Sequence, residues 1–163
     1  MNLNSKNPIV LMLLCLMAGI FITVSFLETP MKFQVSGMTL PVALELGMLM
    51  FGISTKIQCV LLILIITGMI ISRKAYTKMD FIIIVIVSAV LLVEKFWMLP
   101  VLDDRAHLLS AGKSVASSEM HNYFIYAESV KALFLCATII LQFKRSTKNT
   151  GVISHSVYSS RKI

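Results

Sequence analysis

The sequence predicts an all-α integral membrane protein, a four-transmembrane-helix bundle with N- and C-termini cytoplasmic, and three observations carry that expectation. Of the 163 residues, 57% are apolar and 14% charged, against about 25% charged in soluble domains. The apolar residues come in long unbroken runs, where a water-soluble core of this size would show amphipathic stripes. Four runs reach, or extend to, the roughly 20 helical residues that cross a hydrocarbon core of about 30 Å. Backbone groups in lipid must be paired within their own segment, so each run is read as a helix.

The first helix is expected over 8–27. Ile9 to Leu27 holds no charged side chain. Lys6 ahead of an apolar run is also how a secretory signal begins, but this run outlasts the about 7–15 residues of a signal core. Phe26, Leu27 and Glu28 stand where a small-residue cleavage site would fall, so the helix is read as retained. The second is expected over 41–72, with Pro41 in its first turn and Ala43 and Gly47 as a small-x-x-x-small step for close helix contact. At about 48 Å if straight it outruns the bilayer core, so its start should project, tilt or break near Gly52. The third, over 80–99, joins the apolar run Phe81–Val93 to Glu94–Leu99. Pro100 to Ser117 then reads as an outer loop bringing Asp103, Asp104, Arg105 and His107 over the bundle mouth. The fourth, over 118–143, opens with Ser117 or Ser118 as cap and Glu119 at the positive end of the helix dipole. These helices make one membrane domain over 1–145. The stretch 146–163, rich in Ser and basic residues without apolar period, reads as a disordered basic tail.

Charge sets the orientation. The formal net charge is +7, the sign a nucleic-acid partner would need, but its distribution follows the membrane. Lys6, Arg73, Lys74, Lys78, Lys144, Arg145, Lys148, Arg161 and Lys162 all fall at one end of the bundle. Positive residues mark the cytoplasmic side, so both termini are expected inside, with no nucleic-acid partner. Of the acidic residues only Asp80 shares that end, which leaves the ionisable chemistry in the outer half. Cys15, Cys59 and Cys136 lie on three different helices inside apolar runs and read as small packing residues.

Counting inward at 1.5 Å per residue from the cytoplasmic ends puts Lys131, Glu128, Glu94, Lys95 and Lys56 roughly 18–24 Å up. Five charges from three helices thus share one slab, and charges at that depth need partners, water or the bundle interior. Glu128 and Lys131, three apart, can meet on one helix face. Glu45, Gly52 and Lys56 share a face of the second helix and are expected to turn toward them. The candidate outer-leaflet polar cluster is therefore Glu28, Glu45, Lys56, Glu94, Lys95, Arg105, His121, Glu128 and Lys131. No His-x-x-x-His, Glu-x-x-His or Cys-His spacing suggests a metal, no nucleotide or hydrolase motif is present, and no cofactor or catalytic residue is expected. Glu28…Lys32-Phe33 and Glu94-Lys95-Phe96, each near a proline, hint at a two-hairpin repeat with unequal spacing.

Two stretches carry a resemblance. Ser25-Phe-Leu-Glu-Thr-Pro-Met-Lys-Phe-Gln-Val-Ser-Gly-Met-Thr-Leu-Pro-Val-Ala-Leu-Glu-Leu-Gly and Ser118-Glu-Met-His-Asn-Tyr-Phe-Ile-Tyr-Ala-Glu-Ser-Val-Lys resemble a family of small bacterial four-helix integral membrane proteins without an assigned activity. The resemblance implies a bacterial inner-membrane location and a four-helix bundle. In that family's pattern a basic residue often follows the Gly47 position, where this chain has Met48.

The functional expectation is a small integral membrane protein with an outward-facing polar pocket that binds or passes a small solute, ion or lipid headgroup. One alternative is a structural or assembly subunit whose charges hold the bundle, as a homo-oligomer or within a larger membrane complex. Another is a membrane enzyme using Glu128 or His121 as general base. The partners expected are the lipid bilayer and a small-molecule or lipid ligand.

Overall fold

The structure is a computed structural model that describes residues 3–115 and 118–145; the tail expected over 146–163, and Ser117 as a cap, lie outside the described residues. Four helices are long and apolar enough to cross a membrane: α1 Pro8–Lys32, α2 Leu40–Ile71, α3 Lys78–Ser110 and α4 Met120–Leu141. Two three-residue strands, β1 Leu3–Ser5 and β2 Phe143–Arg145, pair antiparallel and tie the chain before α1 to the chain after α4. The architecture is an all-α four-helix bundle.

Each helix buries one narrow stripe. On α1 it is Val10, Leu14, Met17 and Phe21; on α3 it is Ile84, Val87 and Leu91; α4 adds Leu135. Steps of three and four give the seam of knobs-into-holes packing. Only about a third of each span's apolar window is buried. Residues such as Ile9, Ile63, Val85 and Leu133 face outward, Leu133 at 72% exposure, a surface that lipid covers and water would not tolerate. Gly68 brings α1 against α2, since a Cβ there would meet Val10 Cγ2 at 2.8 Å.

The prolines produce the main departure from expectation. Pro30 and Pro100 lie near the expected ends of α1 and α3, yet both helices run through them, to Lys32 and Ser110. A helical proline lacks an N–H and crowds the carbonyl four residues back. Here the turn before each proline widens into a π-helix, Thr23–Glu28 and Glu94–Met98, which makes room for the ring. Such local adjustments are how membrane helices absorb proline. In α1 the Thr29 hydroxyl also donates to the Val24 carbonyl at 3.0 Å. The outer loop expected from Pro100 is therefore helical through Ser110 and packs against α2.

The end bearing the termini is closed by polar contacts. Asn7 caps α1, its Oδ1 accepting from the Ile9 and Val10 amides, and its Nδ2 donates to Ser72 Oγ at 2.8 Å. Thr77 and Asp80 form a capping box at the start of α3. Lys6 Nζ donates to both Asp80 carboxylate oxygens at 2.7 and 2.8 Å. Tyr76 donates its hydroxyl to Gln142 Oε1 at 3.2 Å. Burial pushes the Tyr76 phenol up to about 12, and the Asp80 charge adds to the shift.

Candidate functional site

The opposite half of the bundle holds a buried ion triad. Lys131 is on the inward stripe of α4, four residues before Leu135, and Glu128 stands one turn earlier on the same stripe. Glu94 opens the π-turn of α3 at the depth of both. Lys131 Nζ donates to Glu128 Oε1 at 3.0 Å and to Glu94 Oε2 in a closer contact. All three side chains are buried, with 1%, 7% and 2% exposure for Lys131, Glu128 and Glu94. The Phe21 ring of α1 lies 4.6 Å from Lys131 Nζ, a cation–π contact with the ammonium. Glu94 Oε1 and Glu128 Oε2 are buried with no hydrogen-bond partner among the described residues. Two carboxylates thus share one ammonium, and each keeps an oxygen unpaired.

Above the triad, toward the far end from the termini, lies a cavity of about 390 Å³, within the size range of ligand pockets. All four helices wall it. Glu128 lines it, as do Phe51, Leu99, Leu102, Phe124 and Ile125, so most of the wall is aromatic or aliphatic. The polar lining consists of Ser25, Thr29, Lys32, Asp103, His121 and Glu128. At 1.5 Å per residue, Glu128 stands about 21 Å from Gln142, and His121 about 32 Å. The cavity therefore lies in the half of the bundle away from the paired strands β1 and β2.

Lys32 closes one side. It is 8% exposed, and its ammonium lies 3.8 Å from Glu28 Oε1 and 5.9 Å from the centre of the Phe51 ring. Gly47 on α2 makes room for it, since a Cβ at that position would stand 2.6 Å from Lys32 Nζ.

The nine residues expected in the polar cluster divide. Glu94, Glu128 and Lys131 meet directly. Glu28 pairs with Lys32 beside the cavity, and His121 lines it from an exposed position on α4. Lys95 turns from the triad, its Nζ reaching Cys59 Sγ at 3.9 Å. Arg105 is half-buried on the helical extension of α3. Glu45 and Lys56 depart from expectation: both are exposed on α2 and make no ion pair among the described residues. The inward face of α2 instead carries Ala43, Gly47, Ser54, Thr55 and Gln58. Small and hydrogen-bonded polar groups cost less than unpaired charges against neighbouring helices, and Gln58 Nε2 donates to Ser54 Oγ at 3.0 Å. Lys32 and Asp103 line the cavity from outside the nine-residue cluster; the sequence places Asp103 over the bundle mouth, and the cavity wall is where it stands. Lys32, near a proline at an apparent helix end, read as an outer-loop residue. Among the described residues no group of three His, Cys, Asp or Glu side chains is placed to hold a metal ion.

A lipid-facing four-helix bundle around a buried ion triad defines a small multi-pass membrane protein. No family model, curated protein or solved structure matches the chain.

Proposed function

We propose that the protein is a binding protein of the bilayer that takes an amphipathic small molecule or lipid into the cavity above Glu128. The observation that carries this reading is the wall composition: an aromatic and aliphatic cavity with a few charged groups, Lys32, Asp103 and Glu128, in its lining. Pockets of that kind hold an apolar body by burial and orient it through a few polar groups. A freely hydrated ion or polar solute fits such walls poorly.

On this reading the termini are cytoplasmic and the pocket faces outward, supported by the basic residues next to the paired strands and the α2–α3 turn, among them Lys6, Arg73, Lys74 and Lys78. A bacterial inner-membrane location has the support of the resemblance carried by 25–47 and 118–131. A second reading, a structural subunit locked by its charges, draws on Lys131 bridging α3 and α4 through Glu94.

Native mass spectrometry of the protein released from lipid nanodiscs tests the proposal. The wild type should retain one small molecule or lipid through activation that strips bulk lipid. Gly47→Trp, which fills the cavity, should lose it. Equal retention by both proteins would refute the pocket as the binding site.

A further inference from the structure

The charge balance around the cavity is uneven. From α1, Glu28 and Lys32 stand beside it and pair with one another. The cavity wall contributed by α2 (Leu44, Gly47, Met48 and Phe51) carries no charge. From α3 come Glu94 and Asp103, and from α4 come Glu128, Lys131 and exposed His121. Once Lys32 is matched with Glu28 and Lys131 with Glu94, the second carboxylate of the triad has no further ion-pair partner among the described residues, and Asp103 at the wall has His107 and Asp104 as charged neighbours. A buried, uncompensated carboxylate is strongly disfavoured in a medium without water. Something positive has to complete the triad.

We infer that this charge comes with the ligand: the ammonium of a cationic amphiphile seated in the cavity. Glu128 is the residue that receives it. It lines the cavity, is more than nine-tenths buried, and keeps Oε2 unpartnered. Glu94 is not among the cavity-lining residues. The apolar body of the ligand fills the space beside Phe51 and Phe124. Lys32, held in its own pair with Glu28, leaves the negative bias in place.

This inference rests on the amphiphile-binding reading and narrows it to a cationic head. The test compares dodecylamine with dodecanol, binding to the full chain in phosphatidylcholine nanodiscs and corrected for empty discs. Dodecylamine should bind at least about tenfold more tightly than dodecanol at neutral pH. Glu128→Gln should abolish the preference for the amine. Added phosphatidylethanolamine that competes with dodecylamine assigns the ammonium to a bilayer lipid; no competition assigns it to a dissolved amphiphile. Equal binding of amine and alcohol, or a preference for the amine that survives in Glu128→Gln, overturns the cationic head and leaves the pocket standing. Binding of neither probe overturns both.

Discussion

Replacing Lys131 by methionine should be among the most destabilising single changes in the bundle. The side chain keeps its length, so little packing is lost, but both carboxylates then lose their common ammonium at a place with 1% to 7% exposure. Breaking a buried pair by removing one partner costs about 3–5 kcal/mol in proteins. Interhelical hydrogen bonds in membranes average less, about 0.6 kcal/mol with a maximum near 1.7. Charge rather than hydrogen bonding dominates here, so about 3 kcal/mol is a reasonable expectation. For a chain of this size that corresponds to roughly 6–12 °C in melting temperature. The assay is thermal unfolding in detergent, followed by size-exclusion of a fluorescent fusion. Adding Glu94→Gln and Glu128→Gln to Lys131→Met should restore much of the loss, because the stranded charges go with it. A Lys131→Met protein within about 1 kcal/mol of wild type, or a triple variant less stable than the single, would refute this account of the triad.

Other consequences concern separate parts of the bundle. Glu128→Gln should cost under about 1 kcal/mol, because Lys131 keeps Glu94, whereas Glu94→Gln should cost more by cutting the α3–α4 tie; relative melting temperatures of the two check the order. Gly68→Leu should destabilise by about 1–3 kcal/mol through overpacking against Val10, while Gly47→Ala, which meets only the mobile end of Lys32, should fold normally; expression and melting of both decide. Asp80→Asn should loosen the terminal end by about 1–3 kcal/mol through loss of the Lys6 pair, read as faster hydrogen exchange over the start of α3. The Tyr76 phenol is held protonated to about 12, above its ordinary value near 10. Its contribution to stability is therefore complete below about pH 10 and is lost as pH rises through about 12. Tyr76→Phe should remove that alkaline step from a titration of phenolate absorbance.

The four spans were legible because bilayer thickness imposes length and composition directly, with little dependence on packing. The triad was partly legible for a related reason: Glu128 and Lys131 at i and i+3, and Glu94 at the same depth, have few tolerable places except against each other. Two features escaped. Pro30 and Pro100 obey a local rule that ends helices in water, and that rule lost to the demand that membrane backbone stay hydrogen-bonded, met by the π-turns. The inward face of α2 was also misjudged. Its apolar residues surround the helix almost evenly, so Glu45 and Lys56 could not be oriented from periodicity, and the bundle buries Ser54, Thr55 and Gln58 in their place. The Lys6–Asp80 pair joins residues 74 apart, and neither position alone announces a partner.

The most direct test of the account is photocrosslinking from inside the cavity. A benzophenone amino acid at Phe124, which is 5% exposed and lines the pocket, is compared in intact membranes with one at Leu133, which is 72% exposed on the lipid face. Mass spectrometry of the purified adducts should find one dominant mass increment at position 124 and the mixed distribution of bulk lipid at position 133. The same mixed distribution at both positions, or adducts at 133 alone, would contradict a ligand pocket above the triad.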